Sequence, residues 1–479
     1  MQFIFKYKWL LLFALLFLGA NSYLMLQDNY FLNALPLFLL ATYVAVFKTE
    51  QTLLFVVLLT PLSVNLEEFT EGRMGLFIPT EPLLFGLMLL VVMVEMKKSF
   101  LPSYIWKHPI VWAVGFYLFW ILFTSIPSSH PIVSLKFLLV KLWFVIPVLI
   151  FGSYVFRKKE RINSFVWLYV TGMVLVMIYT LLIHASYGFG EKEGHWVMSP
   201  FFKDHTIYGA AVALNLLLVL GLYFSKKHNP LTQLTLLLFI VVNLIALYFS
   251  YTRAAWLSVV AAFVVYLFIR FKVKFKYLLI TGLTAIAIVA LSWDQIQMEL
   301  ARNDAEHTTE EFGERLQSAT NVTSDASNLE RLNRWSSAWE MFKERPVFGF
   351  GPGTYAMEYA PFQDPEKLTI ISTNFGNMGN AHSEYLGPLA ETGFIGFISV
   401  LLLVIAIFYK GITLYINYPK EDVQYKRLIL FMNLALVTYF VHGVLNNYLD
   451  TDKASVPIWG MCAAFIALEN SMKKRKKLS

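Results

Sequence analysis

Cysteine is almost missing from this chain: Cys462 is the only one among 479 residues, and it lies in the last apolar run. That excludes an intrachain disulfide and any cysteine-based metal site. Charge is scarce as well. Asp, Glu, Lys and Arg make up 15% of the residues, against about 25% in an ordinary soluble domain, which excludes a water-soluble globule. The long loop over 294–385 offers only His307 and His382, and neither is expected to belong to an Asp/Glu-His metal grouping. The glycine-rich Gly349-Phe-Gly-Pro-Gly353 lacks the Lys-Ser/Thr of a nucleotide-binding phosphate loop. No internal repeat is detectable.

What is abundant is apolar sequence. Hydrophobic residues are 57% of the chain and mean hydropathy is +0.57, the composition of a polytopic membrane protein. A span needs roughly 20 mostly apolar residues. Such runs fall near 9–26, 30–47, 51–66, 75–96, 109–127, 132–156, 163–187, 206–224, 231–250, 254–271, 277–293, 386–409, 427–449 and 455–470. The run 51–66 is short and contains Pro61, and Pro79 and Pro82 blur the start of the next. The first run follows Lys6 and Lys8 like a signal peptide, but another span comes at once, so it reads as a retained anchor.

The fold expected is therefore all-α and polytopic, with about 12–14 transmembrane helices and one large, helical extracytoplasmic loop. It divides into a transmembrane bundle over 1–293, a loop domain over 294–385, and C-terminal helices with a basic tail over 386–479. Orientation follows from Lys and Arg in alternate connections. With the N-terminus in the cytoplasm, 25 lie on the cytoplasmic side and 12 on the other, seven of these in the long loop. Both termini are thus expected inside and the long loop outside. The +7 net charge reflects this topology and is no sign of nucleic-acid binding.

Several polar residues need a reason to be where they are. Lys136 and Lys141 fall within the sixth expected span; they either snorkel to the interface or bind an anionic lipid headgroup. Lys203-Asp204-His205 closes a polar outer loop; it is either ordinary loop chemistry or half of a metal pair without a third partner. Arg253, in Ser250-Tyr-Thr-Arg-Ala-Ala-Trp256, belongs to a very short connection on the side where topology does not ask for arginine. It either pairs with an outer acid or grips a phosphate with two parallel hydrogen bonds.

The long loop has apolar residues at Leu332, Trp335, Trp339 and Phe342, the spacing of an amphipathic helix lying on a surface. Arg331 and Arg334 share a face of that helix. Glu-Arg-Pro346 and Gly349–Gly353 then end it. His382 stands where the chain re-enters the membrane, in Asn380-Ala-His-Ser-Glu-Tyr-Leu-Gly-Pro-Leu-Ala-Glu-Thr-Gly393. A histidine there is satisfied by a backbone carbonyl or held for chemistry.

Taken together, Thr252-Arg-Ala-Ala-Trp256, Arg331-Leu-Asn-Arg-Trp335, Glu344-Arg-Pro-Val-Phe-Gly-Phe-Gly-Pro-Gly353, Ala381-His382 and Leu389-Ala-Glu-Thr-Gly-Phe-Ile-Gly396 resemble the signature of the O-antigen ligase and polysaccharide polymerase superfamily. Ser383 departs from it, since Asn more often follows the histidine there. The resemblance implies a membrane glycosyltransferase of the GT-C type. It implies transfer of a glycan from an undecaprenyl-pyrophosphate donor to a sugar hydroxyl at the outer membrane face, without metal or nucleotide. Polymerisation of a cell-wall polysaccharide such as teichuronic acid, and ligation of finished glycan to a lipid or protein, both fit; flippases and other polysaccharide-synthesis proteins are possible partners. Carried over by position, His382 is the catalytic residue. Arg253 and Arg331 bind pyrophosphate, and Arg334, Lys141 and Lys136 are further candidates for substrate binding. Glu391 and Asp204 are given supporting roles. A transporter or flippase is the competing class, and the large loop and missing repeat stand against it.

Overall fold

A backbone in hydrocarbon must satisfy its own N–H and C=O groups, so apolar runs of span length fold as helices. In the computed structural model they do. It describes residues 8–28, 30–69, 75–272, 326–364 and 379–478, together with 277 and 284. The expected span 277–293 and the first part of the long loop, with His307, lie outside the described residues.

Two compact units divide the chain, residues 1–53 and 54–479. In the first, α1 (Lys8–Met25) is followed by a 3-10 turn and α2 (Ala34–Phe47), and Asn21 Nδ2 donates to Asn33 Oδ1 at 2.7 Å. Helix α3 (Thr49–Leu59) leads into the second unit, which continues with α4 (Thr80–Lys97), α5 (Pro109–Ser125), α6 (Pro131–Val155), α7 (Glu160–Ser186), α8 (His205–Ser225), α9 (Pro230–Phe249) and α10 (Arg253–Arg270). After the undescribed stretch come α11 (Ala326–Glu344), α12 (Leu386–Asn417), α13 (Val423–His442) and α14 (Asp452–Leu478). Each expected span other than 277–293 overlaps one of these helices. Among the described residues, six helices (α6 to α10 and α12) are long and apolar enough to cross a membrane, and strand is confined to two residue pairs, Val64–Asn65 against Phe77–Ile78. The protein is an all-α, multi-pass membrane protein.

Helix α8 is the inner member of the bundle. Within its apolar window 83% of residues are buried, against 17% for α10, so α8 is apolar on all sides while α10 keeps an outward face. Its start is fixed by Asp204, whose carboxylate accepts the amides of Thr206 (2.8 Å) and Ile207 (3.1 Å). These are two of the donors that a helix N-terminus leaves without partners. Helix α6 widens to a π-turn over Val145–Phe151, around Pro147, which has no amide hydrogen to give.

Helix α12 breaks at Gly393, where φ is +69°. A side chain there would meet the Val347 carbonyl at 2.3 Å, so the close approach requires glycine. The break leaves carbonyls in the preceding turn open. Phe350 N–H takes that of Ala390 (3.2 Å), Gly351 N–H that of Glu391 (2.8 Å), and the Trp120 indole that of Thr392 (2.8 Å). The two glycine-bearing motifs, far apart in sequence, thus fold onto one another as a single structure. Ser134 Oγ fastens it to α6 through the Pro352 carbonyl at 2.9 Å.

Helix α11 forms where its spacing predicts a helix, and its buried face is largely polar. Leu332, Trp335 and Phe342 are only half-buried and Trp339 is 49% exposed, whereas Glu330, Asn333, Arg334, Ser337, Ala338 and Met341 are buried. Polar groups can go inside here because each finds a partner. Arg334 pairs with Glu330 at 2.7 Å, and Ser337 donates to the Asn333 carbonyl at 2.9 Å. Ala338 and Met341 complete the contact by packing with Phe350, Tyr355, Tyr359, Ala381 and Ala390.

Candidate active site

His382 sits in a turn held in a conformation that side chains avoid. Its φ is +46°, a left-handed region rare for residues with a Cβ. Asn380 Oδ1 stabilises the turn by accepting the His382 amide at 3.0 Å, and the Trp335 indole reaches the His382 carbonyl at 3.5 Å. Arg334 braces the turn from below, donating through Nη1 to the Asn380 carbonyl at 3.2 Å. Ser383 Oγ accepts the amides of Tyr385 and Leu386 at 3.3 Å each, so the residue that departs from the usual Asn caps the start of α12.

Asn446 stands near the imidazole, and its amide nitrogen donates to His442 Nε2 at 3.0 Å. Burial is the main force that pulls the His382 pKa down to about 4, and the positive charges of Arg334 and then Arg331 add to it; Asp204 opposes. His382 is accordingly neutral near pH 7 and able to accept a proton. Asp204 also accepts the Thr206 hydroxyl, which makes a short contact with the Tyr448 hydroxyl. Arg253 opens α10 immediately after Thr252, whose hydroxyl donates to the His205 carbonyl at 2.8 Å.

Against residues 379–384 lies a cavity of about 200 Å³, lined among others by Tyr117, Lys141, Glu384, Glu391, Asn447 and Asp450. Glu391 gives both carboxylate oxygens to the glycine turn, accepting Gly353 N–H at 3.0 Å and Tyr355 N–H at 3.1 Å. Glu384 Oε1 accepts the Tyr439 hydroxyl and the amides of Tyr448 (2.7 Å) and Leu449 (2.8 Å). Burial raises the Glu384 pKa, with Lys141 opposing. The two intramembrane lysines part company: Lys141 is buried in the cavity wall, with its ammonium 4.9 Å from the Phe137 ring centre, while Lys136 is exposed. Among the described residues, no three His, Cys, Asp or Glu side chains gather as a metal site.

With this geometry in view, residues 236–401 match the family model described as O-Antigen ligase. The match supports the O-antigen ligase and polymerase superfamily. No curated protein matches the chain. The matched residues include Arg253, Arg331, Arg334, His382 and Glu391, and the match supports glycan ligase or polymerase activity in general. Lys136, Lys141 and Asp204 precede it. His442, Asn446, Asn447, Tyr448 and Asp450, which reasoning from sequence missed, follow it. Their signal was the polar run Asn446-Asn-Tyr-Leu-Asp-Thr-Asp452 between the last two spans, with His442 one helical turn before it.

Proposed function

We propose that the protein transfers a glycan from an undecaprenyl-pyrophosphate-linked donor to a sugar hydroxyl at the outer face of the cytoplasmic membrane, extending a cell-wall polysaccharide such as teichuronic acid. The acceptor oxygen forms a bond to the anomeric carbon as the bond from that carbon to the phosphate oxygen breaks. The electron pair leaves with the pyrophosphate, and the hydroxyl proton passes to His382. A single displacement of this kind inverts the anomeric centre. Arg253 and Arg331 hold the pyrophosphate and offset its charge, and neither a metal nor a nucleotide takes part.

The observation that carries the reading is a half-buried imidazole whose pKa is pulled down by desolvation and by the nearby charges of Arg334 and Arg331. Fixed cations aimed at a leaving pyrophosphate lower the barrier, and a neutral histidine is the form that accepts a proton. The two effects reinforce each other. Bound pyrophosphate screens the cationic charge that depresses His382, so the base strengthens when the donor is in place. Expected sidedness, with both termini cytoplasmic and the loop outside, puts this chemistry where a flipped lipid-linked glycan is presented.

Purified protein incubated with lipid-linked glycan tests the proposal. Longer saccharide products by size analysis, with release of undecaprenyl pyrophosphate, support it. Movement of the glycan across vesicles without any new glycosidic bond overturns it in favour of a transporter.

A further inference from the structure

The cavity beside His382 contains a buried ammonium that makes no direct hydrogen bond, although Glu384 lies within electrostatic reach of it. Lys141 is 5% exposed, and among the described residues no hydrogen bond or ion pair reaches its ammonium. Ammonium hydrogens left without acceptors in a buried site are costly, so their presence points to a ligand. Two acceptors in the same wall are open too: Asn447 Oδ1 is buried without a hydrogen bond, and no bond or ion pair among the described residues engages the Asp450 carboxylate. Open donors and acceptors around one small cavity match neighbouring hydroxyl groups, each of which both gives and takes a hydrogen bond.

Charge also limits what this cavity can take. Glu384, Glu391 and Asp450 stand there against a single lysine. An anionic phosphate or carboxylate entering beside three acids is disfavoured. At about 200 Å³ the cavity is smaller than the roughly 300–1,000 Å³ of sites for drug-sized ligands, which suits one sugar ring. The neighbouring Tyr117 and Tyr355 supply aromatic walls.

We infer that this cavity is a monosaccharide subsite that takes an uncharged sugar of the glycan substrate, with Lys141, Asn447 and Asp450 reading its hydroxyls. This rests on the proposed glycan transfer and deepens it. Where the polymer contains uronic acids, the sugar held here is a neutral or N-acetylated one. It is either the acceptor's terminal unit or the first sugar of the donor.

The test uses the full-length protein in detergent and saturation-transfer NMR with three probes: methyl β-glucoside, its N-acetylglucosamine counterpart and methyl β-glucuronide. The uncharged glycosides are expected to show contact and the glucuronide none. Lys141→Met and Asp450→Asn are each expected to weaken contact about tenfold, the loss of one charged hydrogen bond, with melting temperature kept or raised in Lys141→Met. Preference for the glucuronide, displacement of the glycosides by inorganic pyrophosphate, or unchanged contact in both folded variants overturns the subsite. In transfer assays, a raised KM for the acceptor in Lys141→Met assigns the acceptor's sugar, and a raised KM for the donor assigns the donor's. The binding readout needs no turnover. Intact sugar contact without transfer therefore counts against the proposed function, and intact transfer without sugar contact counts against the subsite alone.

Discussion

The carboxylate of Glu391 spans the amides of Gly353 and Tyr355, at 3.0 and 3.1 Å, and so joins the kink of α12 to the glycine turn that follows α11. The His382 turn enters the same helix one turn earlier. The stability of this junction is therefore the first quantity to measure. Glu391→Ala leaves two buried amides without acceptors, each costing about 1–3 kcal/mol. Gly393→Ala puts a Cβ at positive φ against the Val347 carbonyl and is expected to cost more than about 1 kcal/mol. Both variants should melt earlier than wild type in detergent, and wild-type melting of Gly393→Ala would show that the kink is not under this constraint.

The two arginines of α11 separate by role. Arg334 is engaged by Glu330 and by the Asn380 carbonyl, so Arg334→Ala strands a buried carboxylate at a cost of about 3–5 kcal/mol. Glu330→Gln combined with Arg334→Met should recover much of that loss. Arg331→Lys keeps the charge but loses the planar fork that grips a phosphate. It is expected to lose most transfer activity while its melting temperature stays close to wild type. Equal loss of stability in the two single variants would contradict this division.

The pH dependence follows from the His382 pKa of about 4 in the folded protein against about 6.5 in an unfolded chain. The folded value is depressed, so above pH 6.5 both states are neutral and stability is unaffected. As pH falls from 6.5 to 4 the unfolded chain takes up the proton first, and stability declines; below 4 it levels off. For catalysis, the kcat/KM limb of the free enzyme due to His382 should lie near pH 4, and the kcat limb higher, because bound pyrophosphate offsets the arginines. Rates measured from pH 4 to 8 check both, and a kcat limb at or below that of kcat/KM would contradict the coupling.

Chelation should leave transfer unchanged, since His382 and the arginines supply the proton acceptor and the charge. Rates before and after EDTA, with magnesium restored in a parallel sample, decide this. A loss that magnesium reverses would assign part of the charge stabilisation to a metal.

Much of this fold could be read from hydropathy, because the bilayer leaves a chain few ways to satisfy its backbone. The spans and the Arg253, Arg331 and His382 motifs are local in sequence. The cavity is not. It joins Tyr117 and Lys141 to Glu384 and Asp450, and nothing local in these residue types announces such pairing. One distinction was within reach: Lys136 and Lys141 are five residues apart, about 1.4 helical turns, and so cannot share a face. The α11 helix follows its apolar spacing, but its buried face was not legible from it. Apolar spacing identifies the greasy side, but Arg334 and Glu330 could be buried because they satisfy each other.

The most direct test of the mechanism is the transfer rate of His382→Gln, measured alongside donor binding. A general base contributes about 10² to 10⁴ in rate, so turnover should fall by that order. Binding of the lipid-linked donor should persist, because Arg253 and Arg331 still hold its pyrophosphate. Turnover of His382→Gln within a factor of two of wild type, with the donor bound, would contradict the assignment of His382 as the base.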